Sequence, residues 1–355
     1  MTNRSAKSGS GTLRDLEALA RAGLVAPRDV RKLAAVARRY AIAVTPAMAA
    51  LIEADRPGDP IARQFIPDAR ELEVASGESA DPIGDRRHEK APGVIHRYPD
   101  RVLLKLTHAC PVYCRFCFRR EVVGPGGPAP LAGDRLAEAL AYVRSDPAIF
   151  EVILTGGDPL MLSVRRIEEV TQRLGEVAHV RVLRWHSRVP IVDPARVTGA
   201  MVAALTATRQ TVYIGIHANH PRELGEAQRA AIRRLSEGGL HLVSQTVLLK
   251  GINDDADVLA ELFRTFVALG IRPYYLHHAD MAPGTAHFRT SIAAGQAIMR
   301  RLRGRLSGLA LPTYVLDIPG GFGKVPVGPP YIDDDAQIVA DPGGEIHAYP
   351  PTGRE

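Results

Sequence analysis

Three cysteines crowd into one short stretch of the chain. Cys110, Cys114 and Cys117 lie in THACPVYCRFCFRR, and the 355 residues contain no other cysteine. Three thiols leave one without a disulfide partner, and bridges at this spacing would close only very small loops. A zinc site normally takes four ligands, so His108 or a distant histidine would have to complete it. A [4Fe–4S] cluster held by three thiolates is the third option. The spacing favours the cluster but leaves zinc and three inert thiols open.

Most of the other residues that could take part in catalysis or binding lie at the ends of short β-rich runs. The six runs are 101–107, 151–155, 180–185, 211–216, 241–247 and 272–277. Helical patterns alternate with them near 133–145, 163–175, 195–207, 223–238, 254–269 and 290–306. This alternation predicts an α/β fold of parallel βα units. Right-handed crossovers would curl these units into a partial (βα)6 barrel.

The polar groups at the ends of the runs should meet, because barrel enzymes carry their sites at the carboxyl ends of the strands. The cysteines follow the first run and Gly156-Gly157-Asp158 the second. The third is followed by 186–188 and the fourth by 217–220, Gln245 lies near the end of the fifth, and Asp280 follows the sixth. The sequence therefore predicts an enzyme with one large site at the barrel mouth.

The segments outside the barrel are predicted from composition. Periodic apolar positions indicate helices within 12–25, 27–44 and 45–54. A stretch from about 55 to 95, rich in Pro, Gly, Asp and Glu, indicates an extended connector rather than a packed element. We therefore expect three segments. They are 1–95 with helices and connector, 96–310 with the barrel, and a Gly/Pro-rich 311–355 with a late strand around 337–340.

Composition excludes several classes of protein. The chain is 46% hydrophobic, but no apolar run is long enough to span a membrane, and its polar N-terminus lacks a signal peptide. We therefore expect a soluble, cytoplasmic protein without a membrane partner. The net charge of +6 comes from scattered arginines, and aromatic content is only 5%. Anionic small molecules are therefore better candidate ligands than nucleic acid.

The cysteine spacing, placed after the first predicted strand, resembles the radical S-adenosylmethionine (SAM) superfamily. Phe116, directly before the last cysteine, agrees with that pattern. The resemblance implies that the three cysteines bind three irons of a [4Fe–4S] cluster and that the fourth iron binds SAM. It also implies that backbone groups of Gly156, Gly157 and Asp158 approach the ammonium group of that cofactor.

Longer stretches are similar to the lysine 2,3-aminomutase family, from about Asp59 to about Pro330. They are PGVIHRYPDRVLLKLTHACPVYCRFCFRR, LTGGDPLML, HSRVPIVDPARVT, SQTVLLKGIND, RPYYLHHAD, HFRT and DIPGGFGKVPV. The last stretch presents Lys324 on a Gly-rich loop. A flexible loop with one primary amine is what a pyridoxal-phosphate Schiff base needs. The resemblance therefore implies that Lys324 carries pyridoxal phosphate.

The same resemblance implies how a substrate would be held. Asp280 and Asp317 match two aspartates that grip the side-chain ammonium of lysine, and Arg119 matches an arginine that holds the substrate carboxylate. Two anions at these positions would repel a glutamate side chain. Arginine, which is cationic, stays open as an alternative substrate.

Five further residues are assigned to the cofactors by the resemblance. Arg97, Tyr98 and Arg101 in HRYPDR would lie on the pyridoxal-phosphate and substrate side of the site, where the guanidinium fork suits phosphate and carboxylate. His217 and Gln245 would contact the adenosyl part of SAM.

The family implies conversion of α-lysine to β-lysine and an external electron donor such as flavodoxin or ferredoxin. It also implies a homo-oligomer. Longer members carry zinc-binding cysteines near the C-terminus, and here all three cysteines are already assigned. The shorter chain resembles the subfamily that makes β-lysine for modifying elongation factor P, whereas PGGFGK resembles the longer members. An aminomutase acting on another amino acid and a zinc-stabilised nucleic-acid-binding protein are the alternatives.

Overall fold

A single ten-stranded sheet organises the chain. The computed structural model describes residues 11–351, and neighbouring strands of this sheet follow one another in chain order. The strands are β1 Glu89–Ala91, β2 Val94–Tyr98, β3 Arg101–Thr107, β4 Glu151–Gly156, β5 Val182–Ser187, β6 Thr211–His217, β7 His241–Leu248, β8 Ile271–His278, β9 Thr313–Asp317 and β10 Lys324–Pro326. Strands β3 to β9 are parallel to their neighbours. Strands β1, β2 and β10 are antiparallel additions at the two ends.

Helices connect the parallel strands and precede the sheet. The α-helices are α1 Leu16–Arg21, α2 Val30–Arg39, α3 Pro46–Ala49, α4 Ala62–Phe65, α5 Gly133–Ser145, α6 Val164–Gly175, α7 Val189–Val192, α8 Gly199–Leu205, α9 Glu226–Glu237, α10 Ala256–Ala268 and α11 Ile292–Arg303. The 3₁₀ helices are Pro27–Asp29, Ala69–Leu72, Arg86–His88, Pro159–Met161, Pro194–Arg196, Pro221–Glu223, Ala286–Phe288 and Gly308–Ala310. The six predicted βα units are confirmed.

One predicted helix is shorter than its pattern. The helix predicted over 195–207 begins only at Gly199, where the side chain of Thr198 accepts a hydrogen bond from the backbone N–H of Met201. Pro194 lacks an amide hydrogen and disfavours a helical conformation in the residue before it. Asp193 accordingly has φ −146°. The chain therefore makes a separate 3₁₀ turn before the helix starts.

The two ends of the open sheet meet through side chains. The hydroxyl of Tyr98 in β2 accepts a hydrogen bond from the backbone N–H of Lys324 in β10, at 2.7 Å. Beside it, Arg97 Nη1 lies 3.4 Å from Asp317 Oδ1 in β9. The sheet therefore curls into a partial barrel, and polar side-chain contacts rather than strand pairing join β2 to β9 and β10.

The stretch predicted as an extended connector is packed instead, so that prediction is wrong. Ile61, Gln64, Phe65 and Glu71 are completely buried. The polar members of this group have partners far along the chain: Glu71, for instance, pairs with Arg115 of the cysteine stretch, with Nε–Oε1 at 2.9 Å. A stretch with loop-like composition is packed here because its few apolar and charged side chains fit complementary groups on the barrel.

The C-terminal residues form a second, three-stranded antiparallel sheet. Its strands are β11 Ile332–Asp333, β12 Ile338–Ala340 and β13 Ile346–Ala348, and β12 matches the late strand predicted around 337–340. The large sheet spans both predicted boundaries, at 95/96 and 310/311. The division into three segments stays a prediction. Within residues 11–351, no helix combines the length and apolarity that crossing a membrane requires.

Glu71 should be essential to stability, because it neutralises two buried guanidinium groups at once. Arg115 and Arg120 both pair with it, and their side chains are only 2% and 5% exposed. Removing one partner from a buried ion pair costs about 3–5 kcal/mol. We expect Glu71→Gln to lower the free energy of unfolding by about 3 kcal/mol or more, as measured by urea unfolding followed by circular dichroism.

The matched control is Glu73→Gln, two residues away on an exposed side chain. Its effect should stay within about 0.5 kcal/mol. Equal unfolding curves for the two variants would contradict the role assigned to Glu71.

Candidate active site

The predicted site residues line one cavity of about 560 Å³. The residues that the family resemblance assigned to the cluster, the cofactors and the substrate all line it: Arg97, Tyr98, Arg101, Cys110, Cys114, Cys117, Arg119, Gly156, Gly157, Asp158, His217, Gln245, Asp280, Asp317 and Lys324. His108, the zinc-ligand candidate, lines a separate, smaller cavity instead. The alternation of strand side chains explains this convergence. In β7, Ser244 and Thr246 are fully buried away from the cavity, whereas Gln245 and Val247 point into it.

The glycine pair after β4 fixes the cysteine loop. The N–H of Gly157 donates to the carbonyl oxygen of Thr107 at 2.6 Å, and the N–H of Asp158 donates to that of Ala109 at 2.8 Å. A Cβ at Gly157 would lie 2.4 Å from the Ala109 oxygen, and Gly156 adopts φ +119°. Only glycine permits this backbone conformation and close approach. The Gly-Gly pair thus positions the residues that lead into the first cysteine.

The three cysteine side chains suit a cluster better than a single metal ion. All three thiols are free, and within residues 11–351 their sulfurs are not all within 4.8 Å of one another. Tetrahedral zinc would hold its sulfurs about 3.8 Å apart, given zinc–sulfur bonds of about 2.3 Å. Burial raises the pKa of Cys117 to about 11 and also raises that of Cys110. Metal binding must therefore displace protons from these thiols.

Arg188 holds Cys114 from the outside. Its Nη1 lies 2.7 Å from Cys114 Sγ, while Nη2 donates to Gln64 Oε1 at 2.6 Å and to Glu223 Oε2 at 2.7 Å. The guanidinium is almost completely buried. The guanidinium thus places a positive charge against a sulfur that would bind iron as an anion. These residues therefore fit a three-thiolate cluster.

The side chain of Asp158 is fully engaged within the protein. One carboxylate oxygen accepts from Leu160 N at 3.0 Å and from Ser187 Oγ at 2.8 Å. The other accepts from the backbone N–H groups of Arg188 and Val189, at 2.7 and 3.1 Å. The aspartate thus ties the turn after β4 to the turn after β5. Any contact that it makes with a cofactor would have to come from its backbone.

Asp280, Asp317 and Lys324 lie at one end of the cavity. The ammonium group of Lys324 contacts Asp317 Oδ2. Burial and the nearby Asp317 carboxylate raise the pKa of Asp280 to about 7, against the opposite influence of Lys324 and Arg119. Asp280 is therefore the carboxylate that a further cation would stabilise in its ionised form.

The arginines from HRYPDR reach the cavity from β2 and β3. The guanidinium of Arg101 lies 3.8 Å from the ring centre of Tyr98 and pairs with Asp100 at 2.6 Å. Arg97 bonds to the carbonyl oxygen of Ile83 as well as to Asp317. The two guanidinium groups and the phenol together could bind a phosphate.

Two buried imidazoles on the inner face of the barrel have unused nitrogen atoms. Nε2 of His217 and Nε2 of His186 have no hydrogen-bond partner among the described residues. Burial lowers the pKa of both rings well below the ordinary value. Both residues line the cavity, as does Gln245. Neutral rings with free nitrogens fit a polar ligand that supplies the missing hydrogen bonds.

Several charged residues at or beside the site were not predicted from the sequence. Asp85 bonds to Arg119, and Arg184 in β5 forms a bidentate pair with Glu151 at 2.8 and 3.0 Å. Arg188 was noted after the third strand but received no role. The signal that could have found Arg184 is a charged residue within an otherwise apolar strand run, RVLRW. Asp85 lies in a stretch whose composition indicated a linker.

The chain is similar to known protein families, to individual enzymes and to a solved structure. The pattern of the radical SAM superfamily matches residues 104–263, and that of the family described as Lysine-2,3-aminomutase matches residues 299–350. The L-lysine 2,3-aminomutase of Clostridium subterminale is 39% identical over 87% of this chain and 74% of its own. That of Acetoanaerobium sticklandii is 40% identical over 82% and 70%. The crystal structure of a radical SAM methyltransferase from Sphaerobacter thermophilus is 19% identical, with a TM-score of 0.43 over 63% of this chain and 68% of that one.

Each of the three cysteines should be needed for iron. We expect Cys110→Ala, Cys114→Ala and Cys117→Ala to lose most of their iron after anaerobic reconstitution, because the chain has no fourth thiol to replace the missing ligand. Iron analysis and visible absorbance measure the loss, and circular dichroism checks that the fold survives. Tyr113→Phe in the same loop is the control and should keep its iron. Full iron content in all three alanine variants would exclude the cysteines as ligands.

Proposed function

Because this chain belongs to the lysine 2,3-aminomutase family of radical SAM enzymes, we propose that it converts α-lysine to β-lysine. The amino group would move from C2 to C3 of the substrate. The family uses a [4Fe–4S] cluster, SAM and pyridoxal phosphate. When bound, these groups supply a hydrogen-abstracting radical and a covalent hold on the migrating nitrogen.

The observation that carries this proposal is the group of two carboxylates, Asp280 and Asp317, beside Lys324. Asp317 already pairs with Lys324 and Arg97, whereas Asp280 has a raised pKa and forms no ion pair with any residue of 11–351. A substrate with a distal cation would supply that charge. An anionic side chain such as that of glutamate would add a third negative group and be repelled.

The residues at the other parts of the cavity would orient the substrate and its cofactors. Arg119 would hold the α-carboxylate, and Arg97, Tyr98 and Arg101 would hold the phosphate of the pyridoxal group. Lys324 would attach that group to the protein. This fixed orientation matters because a primary radical abstracts hydrogen from whichever group lies nearest.

A second set of contacts would hold SAM near the cysteines. His217 and Gln245 face the cavity on neighbouring strands and would bind the adenosyl part, while the backbone at Gly156, Gly157 and Asp158 would face its ammonium group. The unpaired Nε2 of His217 supports this placement. Buried, largely apolar walls around these groups keep water from the reaction.

The reaction also needs partners. An external one-electron donor such as flavodoxin or ferredoxin would reduce the cluster. We further propose a homo-oligomer, because Leu309, Phe322, Ile332 and Ile346 are exposed apolar side chains concentrated in the C-terminal part. Free β-lysine production and supply of β-lysine for modifying elongation factor P both require the same conversion.

Anaerobic incubation with reductant, SAM and single amino acids tests the proposal. We expect a β-isomer from lysine, detected by chromatography with mass spectrometry, and none from glutamate. Arginine is the informative comparison, since it also carries a distal cation. A β-isomer from arginine but not from lysine would reassign the substrate while leaving the class of reaction intact. No isomer from any amino acid, with the cluster and pyridoxal phosphate in place, would refute the proposal.

Asp280 should give lysine turnover a dependence on pH. Its pKa of about 7 means that the protonated, neutral form prevails below that pH and offers no charge to an ammonium group. We expect kcat/KM for lysine to fall about tenfold per pH unit below about 7. Asp280→Asn should lower turnover by roughly 10²-fold or more and remove this dependence.

The reductive cleavage of SAM should change far less, because it takes place at the cysteine end of the cavity. Asp55→Asn, at an exposed position, is the control and should keep the wild-type profile. Wild-type lysine kinetics in Asp280→Asn would show that this aspartate does not bind the substrate.

A further inference from the structure

A short segment before β1 packs against the loop that carries Lys324. We call residues 81–88 the strap. Gly320 N donates to the carbonyl oxygen of Pro82 at 3.1 Å, and Arg87 Nη1 donates to that of Gly320 at 2.9 Å. His88 Nε2 lies 2.9 Å from the carbonyl oxygen of Gly321. The strap therefore fixes the backbone of the lysine loop through several independent hydrogen bonds.

Glycine makes this contact possible on the side of the strap. Gly84 adopts φ +66°, and a Cβ there would come within 2.7 Å of the carbonyl carbon and oxygen of Gly320. The two backbones therefore touch directly. The side chain of Asp81 accepts hydrogen bonds from the N–H groups of Asp85 and Arg86, at 2.8 and 2.9 Å, and closes the strap into a tight turn.

Asp85, in the middle of the strap, contacts two arginines that line the main cavity. Its Oδ2 accepts from Nε and Nη2 of Arg119, at 3.1 and 3.0 Å. Its Oδ1 lies 3.8 Å from Arg97 Nη2. The carboxylate is 7% exposed. Burial would raise its pKa, but the opposite charges of Arg119, Lys105 and Arg97 lower it below the ordinary value, so Asp85 is ionised.

Asp85 thereby joins two parts of the proposed substrate site. Arg119 comes from the cysteine loop, and Arg97 leads on to Asp317 and so to Lys324. Cations and carboxylates thus alternate from Arg119 through Asp85, Arg97 and Asp317 to Lys324. The Nε edge of Arg119 is taken by Asp85, while Nη1 has only a 3.4 Å contact with Thr155 Oγ1. Among the described residues, the edge that contains Nη1 is thus the one left for a ligand.

We propose that Asp85 is a positioning residue, which holds Arg119 with its Nη1 edge toward the substrate carboxylate. It also fixes the position of Arg119 relative to the loop that carries Lys324. This inference rests on the proposed function, since Arg119 is the group that would bind the carboxylate. Without Asp85, the guanidinium keeps its charge but loses the bond that fixes its orientation. The substrate would still bind, with C3 displaced from the reacting geometry.

Asp85→Asn tests this by separating binding from turnover. The amide has the same shape but lacks the charge that attracts both Nε and Nη2. We expect the Kd of lysine, measured by calorimetry on the fully loaded enzyme without reductant, to be no weaker than in the wild type. We expect kcat to fall by about 10²-fold, because a displacement of about 1 Å can cost that much. More SAM should be cleaved irreversibly per product formed.

Chemical rescue gives a second, independent measurement. A cavity of about 290 Å³, separate from the main one, also opens onto Asp85 and Arg119. A small carboxylate can therefore reach the space that Asp85→Ala leaves. Added formate should restore part of the lost kcat in Asp85→Ala, whereas formamide, which is neutral, should not.

The control is Glu73→Gln, which also replaces a carboxylate with an amide but lies at an exposed position outside the strap. It should keep the wild-type kcat and coupling. An unchanged kcat in Asp85→Asn, or a Kd that weakens in parallel with kcat, would overturn the positioning role. Rescue by formamide as effective as by formate would also overturn it. Wild-type enzyme runs alongside: if it forms no β-isomer, the proposed function fails, whereas an active wild type with a normal Asp85→Asn refutes Asp85 alone.

Discussion

The contact between the two ends of the sheet determines whether this protein has a site at all. The barrel is open, so no strand hydrogen bonds hold β2 against β10. The hydrogen bond from Lys324 N to Tyr98 and the ion pair between Arg97 and Asp317 take their place. These contacts bring β2, β9 and β10 to one cavity. The groups that close the barrel are also groups proposed to bind cofactor and substrate, so cofactor binding and closure are physically coupled.

Buried ion pairs hold the cysteine loop in place, and several of their members serve two partners. Arg115 and Arg120 share Glu71, and Arg188 bridges Glu223 and Cys114. Buried charges are costly to desolvate and tolerable only when fully paired. Arginine suits this purpose because its planar fork can serve two acceptors at once. The arrangement is therefore sensitive to the loss of any one carboxylate.

The arrangement of charge in the cavity also explains selectivity in general terms. Asp85 and Asp317 each form ion pairs with cations, whereas Asp280 forms none with a described residue, and burial together with the Asp317 carboxylate raises its pKa to about 7. The cavity thus has room for one further positive charge at the Asp280 end. Elsewhere in the cavity, Arg119 offers a guanidinium group to a carboxylate. A substrate with a carboxylate and a distal ammonium meets both requirements.

The sequence by itself determined the order of the strands, the cysteine triad and the glycine-loop lysine, because periodicity and motif spacing are local properties of the chain. All residues assigned to the cluster, cofactors and substrate line one cavity. It failed at Asp85 and Glu71, which lie in a stretch whose composition is that of a linker. Their partners, Arg119 and Arg115, are 34 and 44 residues away. Only the tertiary structure decides such pairs, because the curling of the sheet, rather than any local pattern, brings the connector against the cysteine loop.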